Sequence, residues 1–357
     1  MRKFSIEMLP AREGDCLWVE YGELSNPSRL LIDGGTSETY QEVSRRIKEL
    51  KTPKVHFDLL IITHVDADHV GGVIELLKGQ KIDVSFDDIW FNGYRHLPGA
   101  LESFGPVQGE TISTTIDEKK MPWNMKFKGR SVSVTQEGDL PSTTLAGGMK
   151  LTLLSPYSQQ LTELRPVWQE ECRKAGIDPS QPTPQAVPEQ TEGLETFGPL
   201  DIEALATTKF EGDKSVANGS SIAVLAEYGG KKALLAGDAY PEKLAESIAR
   251  LKGSQESKLK LNSFKLPHHG SKHNINQQLL QKIMCDRYLV STNGNIHKHP
   301  DREAIARIIK FGSLKVELIF NYQNQFTQVW DDIHQKQKHG YSTIYPDSKK
   351  MGKIVNL

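Results

Sequence analysis

Three cysteines in 357 residues is a small number, and Cys16, Cys172 and Cys285 lie far apart. That rules out a disulfide framework and any pair of thiolates spaced to bind a metal. A reducing compartment is expected, with each thiol acting as a small apolar side chain. Net charge is also scarce: the formal value is -1. No overall field draws in nucleic acid, so a nucleic-acid enzyme of this composition needs a local basic patch. No apolar window approaches the length of a membrane span. Met1 to Glu7 contains no apolar core of signal-peptide length. The expectation is a cytoplasmic protein without membrane association, long enough for one large α/β domain with a sizeable core.

Against that even background, one stretch stands out: Thr63-His64-Val65-Asp66-Ala67-Asp68-His69-Val70-Gly71-Gly72. It follows the apolar run Leu59 to Ile62, which reads as a buried strand. Val73 to Leu77 then reads as a helix start. His64, Asp66, Asp68 and His69 therefore sit on a loop at the C-terminal end of a strand, where α/β proteins place much of their chemistry. Imidazole and carboxylate together suit Zn, Mn or Fe. A helix cap would need one aspartate, not this array.

Other strand ends carry further candidates. Phe4 to Leu9 and Cys16 to Tyr21 read as paired strands around the turn Gly14-Asp15. Leu30 to Ile32 is a buried strand ending in Asp33-Gly34-Gly35, and Glu42 to Leu50 is an amphipathic helix. Ile89 to Asn92 reads as a strand; the isolated His96 beyond it is expected at the surface. Residues 105–130 are weakly patterned but hold Lys119, Lys120, Lys126, Lys128 and Arg130, either a substrate-facing basic flap or a solvated loop. Ser131 to Val134 and Met149 to Leu154 restore the strand pattern. Residues 157–212 break it, with a helix from Leu161 to Ala175 and then a proline-rich, apolar-poor stretch, Asp178 to Pro199, expected as an exposed loop.

The pattern then resumes. Ser220 to Tyr228 and Lys232 to Ala236 form a hairpin through Gly229-Gly230, whose second strand ends at Asp238. Pro241 to Leu251 is a helix. Phe264 to Pro267 is a strand end, followed by His268-His269-Gly270-Ser271-Lys272. Ile275 to Met284 reads as helix, Tyr288 to Ser291 as strand, His299-Pro300 as a motif, Asp301 to Ile309 as helix and Val316 to Phe320 as strand. The expectation is a single domain over 1–357, with an insertion at about 157–212 and a peripheral segment from about 321.

His64-x-Asp66-x-Asp68-His69 followed by Gly-Gly resembles the signature of the metallo-β-lactamase superfamily. Asn218-Gly219-Ser220-Ser221, Ala236-Gly237-Asp238-Ala239 and His268-His269-Gly270-Ser271 stand in the order seen in the nuclease-like domain of the competence protein ComEC and its soluble relatives. The resemblance implies an α/β fold of the αβ/βα four-layer sandwich type and two divalent metal ions, Zn or Mn. His64 and Asp66 would serve the first ion, Asp68, His69 and His268 the second, and Asp238 would bridge them. The superfamily often adds a histidine to the first site from the segment at Asn218 to Ser221, and here there is none. Asp33 would orient the metal loop. His269, Lys272 and His299 would act on the substrate, and Asp68 would serve catalysis as well as metal. Water activated between two ions suits hydrolysis of a phosphodiester in DNA or a nucleotide. The alternatives are a lactone, thioester or β-lactam hydrolase, or a metal-stabilised binding or sensor protein without turnover. A nucleic acid or nucleotide is the expected partner, and a protein partner or a second copy of the chain is left open.

Overall fold

A computed structural model describes residues 2–79, 82–98, 107–174, 200–253, 257–347 and 351–357. Two mixed sheets face one another. The first runs, edge to edge, Lys353–Asn356, Arg2–Met8, Leu17–Glu23, Asn26–Ile32, Leu59–Ile61, Ile89–Trp90. The second runs Tyr341–Ile344, Val316–Phe320, Arg287–Val290, Ser263–Lys265, Lys231–Leu235, Ala223–Tyr228, Lys150–Ser155, Ser142–Thr144. Part of each sheet is antiparallel. The rest is parallel: Asn26–Ile32 with Leu59–Ile61 and Ile89–Trp90 in the first, and Lys231–Leu235 through Tyr341–Ile344 in the second.

Strand alternation builds the layers. Leu30, Ile32, Leu59 and Ile61 point inward to a core shared with the second sheet, including Leu225, Leu234, Phe264 and Leu289. Leu31 and Leu60 point outward, against Val43, Val73, Leu76, Ile112, Leu161 and Trp168. The helices Tyr40–Glu49, Ala67–Lys78, Val107–Glu118 and Ser158–Lys174 cover that outer face. Pro241–Lys252 and Arg302–Phe311 contribute Leu244, Ile248, Ile305 and Ile308 to the core of the second sheet. Apolar side chains at period 2 on strands and near period 3.6 on helices leave each element one face to bury. The outcome is helix, sheet, sheet, helix: the four-layer sandwich.

Some local readings change. Ser131 to Val134 is not a strand; Val132 instead exchanges its backbone N–H and carbonyl with the side-chain amide of Asn92, at 2.8 and 2.9 Å. The helix expected over 275–284 stops at Lys282, and Ile283–Cys285 pairs in parallel with Leu259–Leu261. Val107–Glu118 is a helix that the sequence hid, since Gly109 is needed where the chain meets the Trp168 ring. The segment from 321 supplies the outer strand of each sheet and buries Trp330. In the insertion, Ser158–Lys174 buries Leu164, Trp168 and Cys172, while Asp178 to Pro199 lies outside the described residues. His96 is buried, not at the surface, with its ring edge-on to Trp123 at 4.6 Å. All three cysteines are buried. Among the described residues, no helix is long and apolar enough to cross a membrane.

Candidate metal centre

Parallel strands end at one rim, and each end delivers a polar group there. Asp33 follows Asn26–Ile32, Thr63 and His64 follow Leu59–Ile61, Asp238 follows Lys231–Leu235, His268 and His269 follow Ser263–Lys265, and Ser291 follows Arg287–Val290. The loop 64–69 is pressed into place by glycine. A Cβ on Gly14 would lie 1.6 Å from the Asp68 carbonyl oxygen, and one on Gly72 would lie 2.1 Å from that of Gly34. No larger residue allows these backbones to meet. Asp33, His268 and His269 hold left-handed backbone, with φ of 57°, 46° and 54°. Such positions cost of order 1–3 kcal/mol each and persist where the surroundings fix them.

Asp33 holds the loop. It accepts from Thr63 N (2.8 Å) and Thr63 Oγ1 (2.7 Å), and its Oδ2 lies 2.8 Å from His69 Nδ1. The other three imidazoles are tied in the same way at Nδ1. His64 reaches Thr63 Oγ1 at 3.0 Å, His268 reaches Asn274 Oδ1 at 3.0 Å, and His269 reaches the Ser291 carbonyl at 2.9 Å. The Asp, Asn and carbonyl oxygens can only accept, and Thr63 Oγ1 already donates to Asp33. Each ring thus keeps a proton on Nδ1, and its Nε2 is the nitrogen that can present a lone pair to a metal ion.

All four lone pairs face Asp238. The Nε2 atoms of His64, His268 and His269 lie 3.8, 3.9 and 3.8 Å from Oδ2, and that of His69 lies 3.4 Å from Oδ1. His69 Nε2 and His269 Nε2 are 3.3 Å apart. Asp68 Oδ2 is 3.3 Å from His269 Nε2, and Asp66 Oδ2 is 3.5 Å from His64 Nε2. His64 Nε2 and Asp238 Oδ1 are buried without any hydrogen-bond partner.

Lone pairs and carboxylates crowded together in a buried site repel unless a cation lies among them. The spacing fits one: two donors each about 2.1 Å from a tetrahedral zinc stand roughly 3.4 Å apart. His64, His69 and Asp238 make one such group and Asp68, His69 and His269 another. Imidazole and carboxylate, each ring oriented through its other nitrogen, form the donor set expected of a divalent metal site.

The electrostatics point the same way. Burial opposes charge on His69, but Asp238, Asp68 and Asp33 outweigh it and raise its pKa well above the ordinary value. Burial likewise opposes ionisation of Asp238, and the surrounding imidazoles overcome it, holding the carboxyl well below its usual range. Asp15 is buried beside Lys265 and His269, which bring its pKa down to about 2. Lys265 is itself fully buried, with Nζ 2.5 Å from Asp15 Oδ2 and 2.9 Å from the Leu266 carbonyl.

The residues sought in the sequence divide accordingly. His64, Asp66, Asp68, His69 and Asp238 come together. Of the two adjacent histidines, His269 is buried against Asp68 and His69, whereas His268 keeps 25% side-chain exposure at the edge. His299 packs across His268, ring centres 5.2 Å apart, with Nδ1 3.3 Å from Asp301 Oδ1. Asp301 also accepts from Lys272 N at 2.7 Å, while Lys272 Nζ lies 3.7 Å from Glu303. The Gly14-Asp15 turn does lie against the loop.

The sequence reading missed Lys265, Asp213, Asn274 and Ser291. Asp213 lies 3.3 Å from His268 Nδ1 and accepts from Asn218 and Asn274. Burial opposes its charge, but these bonds bring its pKa down to about 2. The one available signal was a lysine flanked by Phe264 and Leu266 in an apolar strand.

With this geometry in view, comparison with known proteins gives three results. A model of the metallo-β-lactamase superfamily matches residues 11–84, the stretch that carries Asp15, Asp33 and the 64–69 loop. No curated protein matches the chain. Among solved structures, the diiron β-hydroxylase CmlA of Streptomyces venezuelae is 11% identical, covering 99% of this chain and 54% of its own, at a TM-score of 0.43. Zinc-bound PqqB of Methylobacterium extorquens is 12% identical, covering 97% and 88%, at 0.39. The metallo-β-lactamase fold protein YhfI of Bacillus subtilis is 9% identical, covering 99% and 100%, at 0.37. The chain thus spans only about half of CmlA. Two facing sheets between helix layers, a signature loop at the rim and a match over that loop together identify the fold as that of the metallo-β-lactamase superfamily.

Proposed function

We propose that this chain is a dinuclear metal-dependent hydrolase that cleaves phosphodiester bonds in DNA or a nucleotide. The observation that carries the reading is the convergence of four imidazole Nε2 atoms on the buried Asp238, with Asp66 and Asp68 beside them. Asp68, His69 and His269 would hold one ion. His64 and Asp66 would hold the other, with His268, which also faces Asp238, in place of the histidine that the segment at Asn218 to Ser221 lacks. Asp238, faced by all four rings, would serve both. This moves His269 from the substrate-facing role that the sequence suggested into the ligand set, and His268 from the second ion to the first. Divalent ions bound there supply Lewis acidity and water ionised near neutral pH.

The protein's own groups then have defined tasks. Asp33, Asp15 and the Ser291 carbonyl keep the rings aimed. Asp301 orients His299, leaving its Nε2 to exchange a proton with a substrate oxygen. Lys272, partly exposed beside Glu303, adds positive charge at the entrance. The choice of phosphodiester rests on the resemblance of His268-His269-Gly270-Ser271 and His299-Pro300 to the ComEC nuclease-like domain. Three buried cysteines suit a cytoplasmic setting.

The test is metal reconstitution followed by elemental analysis and turnover of bis-p-nitrophenyl phosphate, single-stranded DNA and a chromogenic lactam. Two divalent ions with turnover of both phosphodiesters is the expected outcome. Turnover of the lactam alone moves the protein to the second hydrolase class, and metal without any turnover makes it a binding or sensor protein.

A further inference from the structure

At the open edge of both sheets, between Ile89–Trp90 and Ser142–Thr144, lies a cavity of about 360 Å³. Three exposed cations line it: Lys126, Lys128 and Arg130. Ser131 and Ser133 add hydroxyls, and Phe127 offers a half-buried ring stacked edge-on against Trp90 at 5.1 Å. Among the described residues, no carboxylate lines the cavity. None of the three cations makes an ion pair with a described residue. The acid closest in sequence to Trp90, Asp88, is spent on N–H donors from Ile89, Trp90, Met125 and Lys126.

The walls are built rather than loose. Asn124, itself in left-handed backbone, donates to the carbonyls of Phe91 and Arg130. Asn92 clamps Val132 from both sides. Arg250 pins the far end of the same loop through the carbonyls of Thr135 and Gly138, both at 2.7 Å. Three like charges around one cavity, none of them ion-paired with a described residue, make a local positive patch that attracts an anion.

The position matters as much as the charge. Trp90 pairs with Ile61 in parallel register, three residues before His64. Trp90, one wall of the cavity, therefore lies one strand over and roughly 10 Å along from the metal loop, by ordinary strand spacing. Cations for phosphates, hydroxyls for hydrogen bonds and an aromatic face for a base are what single-stranded nucleic acid requires.

We propose that this cavity seats the backbone of a single nucleic-acid strand, adjacent to the linkage held at the metal loop. The proposal rests on the phosphodiesterase reading for what the strand is doing there. Its test does not require turnover.

The metal-loaded protein is titrated into a short, fluorescent, phosphorothioate-linked oligonucleotide that resists cleavage, over a range of salt. The triple variant K126A/K128A/R130A is compared with wild type and with K258A/K260A/K282A, which removes the same charge at the small sheet of Leu259–Leu261 and Ile283–Cys285. The cavity variant is expected to bind about tenfold or more weakly, with the slope of log affinity against log salt reduced by about 2, as for three phosphate contacts on a single strand. The control triple should remain near wild type. All six side chains are exposed or at the surface, so folding is not at stake, and circular dichroism verifies it. Unchanged affinity in the cavity variant, equal loss in the control, or no binding by wild type overturns the proposal. Failure of the wild type to hydrolyse bis-p-nitrophenyl phosphate would instead overturn the function proposed for the metal centre and leave the binding result to stand by itself.

Discussion

Among the described residues, two clusters bring a histidine and carboxylates close enough to share an ion, and they differ in burial and in how their donors are partnered. In the first, around Asp238, the rings are buried, each Nδ1 is committed to an acceptor, and the Nε2 lone pairs face carboxylates. In the second, His56, Asp58 and Asp87, the histidine and Asp87 are half exposed. His56 already has Ser85 Oγ at 3.0 Å and Asp87 at 3.3 Å, and Asp58 accepts from the Tyr21 hydroxyl. Exposure, Ser85 and the Tyr21 hydroxyl serve the second cluster, whereas the first gathers oriented donors around a buried carboxylate whose Oδ1 has no hydrogen-bond partner. Residue type and proximity therefore do not define a metal site. What defines it is a set of donors that the protein has oriented and left without partners.

The strongest way to break this contrast is to remove one carboxylate from each cluster. Asp238→Ala should lose both ions and at least about 10³-fold in turnover, since the group facing all four rings is gone. Asp87→Ala should keep wild-type metal content and activity. Elemental analysis beside hydrolysis of bis-p-nitrophenyl phosphate decides, and equal metal loss in both variants would erase the distinction.

Next in size is the pair of adjacent histidines. His269→Ala should lose the ion shared with Asp68 and His69. His268→Ala should retain that ion and bind the other more weakly, by about 10–100-fold in affinity. Competition with a chelator reads this directly, and the reverse pattern would restore the assignment suggested by the sequence.

His299→Ala sharpens the boundary of the metal cluster from outside. Its metal content should be unchanged, while turnover of DNA falls by about 10²–10³. If kcat holds, the ring is scaffold for His268.

The smallest effect concerns a buried carboxyl with no cation at all. Burial, helped by Asp117, raises the pKa of Glu110 to about 7, and its Oε1 has no partner. A raised folded-state pKa contributes stability that is present below the unfolded value and is lost as pH rises through 7. Thermal melts of wild type should therefore decline more between pH 5 and pH 8 than those of Glu110→Gln, by about 1–2 °C given the partial exposure. Parallel curves would show that Glu110 is solvated.

How much of this was legible beforehand depended on whether a residue's role was local. The 64–69 loop, Asp33-Gly34-Gly35, Asp238 and the 268–272 segment could be read because strand, turn and donor lie side by side in the chain. The fold followed from alternation in strands such as Leu30–Ile32. Lys265 could not be read, because its partner Asp15 lies 250 residues away. Ser291 acts through a carbonyl, which any residue would supply. The roles of His268 and His269 turn on two successive left-handed residues, and side-chain identity carries no mark of that backbone. The basic stretch at 126–130 read equally as a substrate-facing flap or a solvated loop, because the bonds from Asn124 and Asn92 that fold it against the sheet edge leave no mark in its own sequence.

The donors around Asp238 come from both sheets: 64–69 from the first, and 238, 268 and 269 from the second. Ions bound there would act as a reversible rivet between the two halves of the sandwich, closing a long loop of chain and binding only where both halves are in place. A chelator would then do more than silence a reaction. It would loosen the seam, so that melting temperature, protease resistance and metal occupancy rise and fall together.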